Sequence, residues 1–119
     1  MKRLFFLLIP ALFLLTACGD DKDALPPEGV LSEDEMVAVM VDIQLIEGAY
    51  HKRVIKSKNT RKDALDGYVM VYDKYNITQA QFDSSYSWYL DDPHRMDKVL
   101  ERVLQELSEM QAKQQAELE

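Results

Sequence analysis

A helix-start signal occurs three times along the chain and makes helices the expected elements at those points. The signals are Ser32 with Glu35, Thr78 with Gln81, and Asp92 with Pro93. Ser, Thr and Asp side chains accept hydrogen bonds from the free N–H groups of a helix's first turn, and proline suits the first helical position. Glu or Gln three residues after the cap completes a capping box. We therefore predict helices that begin near residues 33, 79 and 93.

Apolar residues recur at helical spacing after these signals. The first helix has two apolar stripes, so we expect neighbours on two sides and a central position. Its stripes are Met36, Val39, Met40, Ile43, Ile46, Tyr50 and Val54 on one face, and Val37, Val41 and Leu45 on the other. The last helix should be long, with Met96, Val99, Leu100, Val103, Leu104, Leu107 and Met110 on its inner face.

Two shorter helices are predicted over residues 61–75 and 79–90. Their expected buried sides are Leu65, Tyr68, Val69, Tyr72 and Tyr75 for the first, and Phe82, Ser85, Tyr86, Tyr89 and Leu90 for the second. No stretch alternates apolar and polar residues with the period of a strand. The prediction is an all-α fold, a small bundle of about four helices over residues 30–110. Residues 111–119 would be a polar helical extension or a disordered tail.

The N-terminus has the pattern of an export signal. Lys2 and Arg3 precede an apolar run over residues 4–15, which is too short for a membrane span of roughly 20 residues. The run ends in Leu15-Thr16-Ala17-Cys18, which resembles a lipobox, the processing site of bacterial lipoproteins. This resemblance implies cleavage between Ala17 and Cys18 and lipid on Cys18, the only cysteine. An ordinary signal peptide and an uncleaved anchor are the alternatives.

Removal of residues 1–17 would leave 102 residues and shift the net charge from −7 to about −9. Nucleic-acid affinity comes mainly from Lys and Arg on phosphates, so we expect no nucleic-acid partner. An acidic chain is also not attracted to anionic lipid by its charge, so the membrane contact would come from the acyl chains.

The segment 18–29 is charged and rich in Pro and Gly, which predicts a flexible tether. The tether is either a simple spacer or an address, since acidic residues close behind a lipidated cysteine are similar to a surface-export signal of Bacteroidota lipoproteins. Gly19 also stands where an inner-membrane retention signal would have Asp. The predicted location is the cell envelope, most simply the outer membrane, on its periplasmic side or at the cell surface.

Two stretches resemble a known family. They are residues 42–49, Asp-Ile-Gln-Leu-Ile-Glu-Gly-Ala, and residues 72–86, followed by Tyr89 and Asp92-Pro93. Both resemble the small Bacteroidota lipoproteins grouped as the domain of unknown function family 4296. The resemblance implies a helical, envelope-located lipoprotein and no activity, so no catalytic residue follows from it. Gln44 stands where many relatives are expected to have histidine, which argues against a metal site in that helix.

Glu47 lies on the first apolar stripe, between Ile43 and Tyr50, where a buried carboxylate would need a partner. It is either a polar group in a pocket, with Tyr50 or Tyr68, or a packing residue. Several aromatic residues follow later in the sequence. One of them, Trp88, lies off the apolar stripe of its helix, so it is either an exposed binding residue or a half-buried residue that covers the edge of the bundle. The candidate binding residues are Glu47, Tyr50, Tyr68, Tyr86, Trp88 and Tyr89.

Catalytic and metal-binding patterns are weak. The chain has two histidines and one cysteine, whereas a catalytic zinc site uses three protein ligands. Asp91, Asp92, His94 and Asp97 are close in sequence, but Asp92 is better used as a helix cap. The serines at 84, 85 and 87 lack the G-x-S-x-G context of a nucleophile. We expect no enzyme, no metal site and no cofactor apart from the lipid on Cys18.

The leading functional hypothesis is a non-enzymatic envelope module that binds another envelope protein or an extended peptide. The alternative is an accessory lipoprotein that binds a glycan or small molecule in a groove lined by Tyr and Trp. A concave aromatic pocket of a few hundred Å³ would favour the alternative, and a flat apolar patch would favour the protein partner.

Overall fold

The computed structural model describes residues 24–53 and 60–119, which form four helices and no strand. Helix α1 spans Glu33–Arg53, α2 spans Thr60–Lys74, α3 spans Gln79–Leu90 and α4 spans Pro93–Leu118. The predicted all-α fold is confirmed. The predictions for Ala17, Cys18 and the first part of the tether lie outside the described residues, as does Val54.

The predicted caps form as hydrogen bonds. The Ser32 N–H donates to Glu35 Oε2 at 2.8 Å, and the Glu35 N–H donates to Ser32 Oγ at 3.3 Å, so the capping box is complete. At α3 the Gln81 N–H donates to Thr78 Oγ1 at 3.1 Å. At α4 the His94 N–H donates to Asp92 Oδ1 at 2.9 Å, with proline at the helix start. The helix starts are therefore set by local sequence.

The turn between α2 and α3 is also local. Asn76 has a positive φ of 52°, and its N–H donates to the Asp73 carbonyl at 3.1 Å. The next N–H, from Ile77, donates to the Tyr72 carbonyl at 3.0 Å. These bonds form a Schellman motif, in which asparagine tolerates the left-handed conformation. They turn the chain directly into α3.

Helix α1 is the centre of the bundle, as its two stripes predicted. It packs against α2 and against α4, while α3 packs against α4. Met36, Val37, Val39, Met40, Val41 and Ile43 are all buried. The prediction was wrong for Leu45, which is 45% exposed. The second stripe of α1 is therefore buried only at Val37 and Val41.

The face that helix α2 presents to the core is shifted from the predicted one. Tyr68, Tyr72 and Tyr75 are half-buried against the core, as predicted. Gly67 and Val71 are buried, whereas Leu65 and Val69 are exposed. A Cβ atom built on Gly67 would lie 2.8 Å from Ile46 Cγ2 and 2.9 Å from Tyr50 Cε2 of α1. Only glycine permits this approach, and it fixes the rotation of α2.

Helix α3 is tied to the residue that precedes the cap of α1. The Leu31 N–H donates to Ser85 Oγ at 2.9 Å, and the Tyr89 hydroxyl donates to the Leu31 carbonyl at 2.9 Å. Ser85 is fully buried and its own hydroxyl donates to the Gln81 carbonyl at 2.7 Å. Because Ser85 and Tyr89 face Leu31, the predicted burial of Tyr86 and Leu90 was wrong, and both are exposed.

Helix α4 packs through a narrower stripe than predicted. Met96, Val99 and Val103 are buried, but Leu100 and Leu104 are exposed because they lie to one side of this stripe. The helix continues to Leu118, so residues 111–118 are a helical extension rather than a disordered tail. Among the helices of the described residues, none is long and apolar enough to cross a membrane.

The last residues of the predicted tether form a turn just before the helical domain. The Val30 N–H donates to the Pro27 carbonyl at 3.1 Å, and Gly29 has a φ of 84° that favours glycine. Just after this turn, Glu33 and Asp34 at the start of α1 form ion pairs with Arg102 of α4 at 2.9 and 2.7 Å. These ion pairs join the start of α1 to the middle of α4.

Gly67→Ala should lower the free energy of unfolding by about 1 kcal/mol, and by no more than about 2 kcal/mol. Overpacking costs about 1–3 kcal/mol, and the better helix propensity of alanine offsets about 1 kcal/mol of it. Gly48→Ala is the matched control, because no atom lies within 4 Å of its Cβ position. It should raise stability by about 0.5–1 kcal/mol. Urea denaturation measures both, and equal stabilisation by the two substitutions would contradict the close α1–α2 contact.

Candidate functional site

A groove with a volume of about 490 Å³ lies between α1, α2 and α3. Its lining residues are Met40, Ile43, Gln44 and Glu47 from α1, Leu65, Tyr68, Val69 and Tyr72 from α2, and Gln79, Phe82 and Tyr86 from α3. The groove follows from the packing described above. Since Gly67 rather than Leu65 or Val69 faces α1, these two apolar side chains are left at the rim, where they are 59% and 55% exposed.

Aromatic rings from α2 and α3 line one side of the groove. The ring centroids of Tyr72 and Phe82 are 5.7 Å apart, and those of Phe82 and Tyr86 are 5.9 Å apart. These distances fall in the range of favourable aromatic pairs. Burial, followed by the charge of Asp83, raises the pKa of Tyr72, so its phenol is neutral at physiological pH. The rings form a continuous apolar surface beside the aliphatic rim.

Among the described lining residues, Glu47 supplies the one carboxylate of the groove. The Tyr68 hydroxyl donates to Glu47 Oε1 at 2.5 Å. This hydrogen bond is the main reason that the pKa of Tyr68 is raised to about 12, with burial and the Glu47 charge adding to it. Burial of Glu47 was predicted wrongly, and the side chain is exposed. The apolar stripe of α1 begins in the core and continues into the groove at Met40 and Ile43. Glu47 lies one turn beyond Ile43, where the groove is open to solvent.

The described lining of the groove is mainly apolar. Within the described residues no Lys, Arg or His side chain lines it, and its other polar residues are the amides Gln44 and Gln79. Lys74, on the same helix as Tyr68, is bound to Asp42 at 2.6 Å. The site can therefore offer an apolar surface, neutral hydroxyls and amides, and one anionic acceptor.

The predicted binding residues are divided among four environments. Glu47, Tyr68 and Tyr86 meet in the groove. Tyr50 packs its ring over Gly67 and does not line the groove. Tyr89 is 3% exposed and belongs to the core.

Trp88 lies in a second, smaller depression of about 280 Å³ near Pro26 and Lys98. It is half-buried, with its ring edge-on to Tyr89 at 4.9 Å and the Arg95 guanidinium 3.9 Å from its centroid. Trp88 is therefore a cover for the core near the end of the predicted tether, and it does not line the aromatic groove.

Eight of the eleven groove residues were not among the predicted binding residues. Six of these eight were assigned to the apolar stripes or buried sides of their helices: Met40, Ile43, Leu65, Val69, Tyr72 and Phe82. The available signal was Gly67, which lies midway between Leu65 and Val69 in a helix. A glycine at such a position indicates that another helix approaches closely. The residues two positions before and after the glycine then lie at the edges of the helix contact.

A metal centre needs several ligating side chains close together. Within residues 24–53 and 60–119, no group of three His, Cys, Asp or Glu side chains is arranged to hold a metal ion. In the sequence cluster around residue 92, Asp92 caps α4 and binds Arg95 at 3.3 Å.

Glu47→Gln should lower the pKa of Tyr68 from about 12 towards 10, because it removes the charge that favours the neutral phenol. The hydrogen bond stabilises the fold below pH 10, and this contribution is lost as the pH rises through about 12. NMR of carbon-labelled tyrosines across this range measures the titration. Glu101→Gln, at an exposed position of α4, is the control, and an unchanged Tyr68 titration in Glu47→Gln would contradict the assignment.

Comparison with known proteins gives a family and no characterised relative. Searches of curated proteins and of solved structures returned no match. The sequence profile of a family described as a domain of unknown function, DUF4296, matches residues 27–113. The match covers all four helices except the last turns of α4, and it confirms the family resemblance of the two stretches in the sequence. The chain belongs to the DUF4296 family.

Proposed function

We propose that this protein is a non-enzymatic, lipid-anchored envelope protein whose helical domain binds a small, mainly apolar molecule in the α1–α2–α3 groove. The observation that carries the proposal is the groove itself, a concavity of about 490 Å³ with aromatic and aliphatic walls. Small-molecule sites have volumes of about 300–1,000 Å³ and combine an apolar lining with a few polar groups.

The lining favours an apolar ligand over a glycan. Eight of the eleven lining residues are apolar or aromatic, and only Gln44, Glu47 and Gln79 have polar ends without a ring. A sugar brings a hydroxyl on most carbons, and each buried hydroxyl without a partner costs free energy. An apolar chain or ring meets no such penalty here. The groove therefore supports the small-molecule half of the alternative hypothesis.

A protein partner, which the sequence favoured, is the second candidate. The observation in its favour is on α4, where Leu100 and Leu104 are 41% and 65% exposed, one turn apart. Crosslinking in native membranes tests it, with photoreactive residues placed at Leu104. A concave site on one face and an apolar stripe on another can coexist, but the groove has the more specific geometry.

Binding of octan-1-ol tests the groove directly. The alcohol should shift the NMR signals of the Met40 and Val69 methyl groups saturably, with a Kd of about 1 mM or lower, which is within reach of a ligand this small. Val69→Asp should weaken binding at least about tenfold, because it places a charge on the apolar rim. Met70→Asp is the control, since Met70 is 70% exposed and does not line the groove. Absence of saturable shifts would overturn the proposed function.

The envelope location is proposed from the N-terminal sequence. The lipobox at Leu15-Thr16-Ala17-Cys18 supports lipid on Cys18 after cleavage at Ala17, and Gly19 with the acidic residues behind it supports the outer membrane. The protein would face the periplasm or the cell surface. Two or three acyl chains hold a protein to a membrane far more firmly than one.

Cys18→Ala should abolish incorporation of labelled palmitate and move the protein out of the membrane fraction. Metabolic labelling and fractionation of cells measure both effects. Thr16→Ser is the matched control, because it keeps a small residue before the cysteine and should leave labelling intact. Retention of Cys18→Ala in membranes would contradict lipid anchoring. Protease treatment of intact cells then reports the side of the membrane, since a surface-facing domain is digested.

A further inference from the structure

We infer that the groove selects ligands that carry a positively charged amine at one end and an apolar chain behind it, with Glu47 as the residue that binds the amine. This inference rests on the proposed function and adds the chemical class of the ligand. It is carried by the distribution of charge in the groove, by the position of Glu47 and by the hydrogen bond that orients its carboxylate.

The charge of the lining separates cationic ligands from anionic ones. Among the lining residues that the structure describes, Glu47 is the one acidic side chain, and none is Lys, Arg or His. The negative charge of Asp83 is felt at Tyr72 and adds negative potential beside the groove. Fatty acids and phosphate esters would bring a second negative charge to this surface with no basic partner. An amine meets an opposite charge instead.

The position of Glu47 suits the head of an elongated ligand. Met40 and Ile43, two turns and one turn earlier on α1, are buried at 7% and 8% exposure, whereas Glu47 is exposed. The groove therefore changes from apolar to polar along the axis of α1. An apolar chain over Met40, Ile43 and the rim at Val69 would leave its head beside Glu47, where part of its hydration is kept.

The hydrogen bond from Tyr68 leaves Glu47 free to accept more. An ionised carboxylate has about four lone-pair sites, and Tyr68 uses one of them at 2.5 Å. An ammonium group has three donors and can bind the remaining sites. Tyr68 holds the carboxylate in one orientation, which lowers the entropy cost of binding. The faces of the surrounding tyrosine rings also attract cations.

Three probes with the same chain and different heads test the inference: octylamine, octan-1-ol and octanoate. At pH 7 the amine is protonated, as a lysine is, and the acid is ionised. Calorimetry or NMR titration of the full domain at low ionic strength should give a Kd for octylamine about fivefold lower than for octan-1-ol, and a Kd for octanoate about fivefold higher. The amine preference should shrink as salt is added.

Glu47→Gln should bring the Kd of octylamine to within about twofold of the Kd of octan-1-ol measured on the same variant. Glu101→Gln removes the same charge from α4, away from the groove, and should keep the preference. Tyr68→Phe removes only the orienting hydroxyl and should reduce the preference partially. Circular dichroism confirms that each variant is folded.

The outcomes separate this inference from the proposed function. If none of the three probes binds, the proposed function and the inference both fail. If all three bind equally, if octanoate binds best, or if Glu47→Gln keeps the amine preference, the groove binds apolar molecules but the inference is overturned. Loss of octan-1-ol binding in Glu47→Gln would assign Glu47 to the structure of the groove, and would overturn the inference as well.

Discussion

The close approach of α1 and α2 at Gly67 is the contact on which the rest of the structure depends. With no side chain at Gly67, Ile46 and Tyr50 of α1 lie against the backbone of α2 at distances that a Cβ atom would not allow. This contact fixes the rotation of α2, so that Val71 enters the core and Leu65 and Val69 remain at the surface. An apolar rim and the groove beneath it are consequences of that rotation.

The opposite wall of the groove depends on a second anchor, the backbone of Leu31. Its N–H and carbonyl groups are buried just before α1, and α3 satisfies both through Ser85 and Tyr89. A buried backbone group without a partner costs about 1–3 kcal/mol, so this arrangement strongly favours one rotation of α3. That rotation leaves Phe82 and Tyr86 facing α2. The same two hydrogen bonds also hold the start of the domain, close to the predicted tether.

Together these anchors convert an ordinary small bundle into one with an open, mainly apolar site. An aromatic and aliphatic surface of this kind exposed to water is unfavourable unless a ligand or partner covers it. The single carboxylate of Glu47, oriented by Tyr68, gives the site a polarity that an apolar patch alone would lack. Family membership places this bundle among domains of unknown function, and the groove is the feature from which a function can be tested.

The sequence by itself determined the elements and their ends. Ser32, Thr78 and Asp92 start helices and Asn76 ends one, because caps act within four or five residues of the chain and require no tertiary contact. The two stripes of α1 likewise predicted its central place. Only the tertiary structure decided which side of α2, α3 and α4 would face inward. Leu65, Val69 and Leu104 are as apolar as the buried residues beside them, and helical periodicity alone gives a face about a third of the circumference wide. Within that width the choice for α2 and α3 came from Gly67 and Leu31, whose partners lie on other helices, and the groove exists because of that choice.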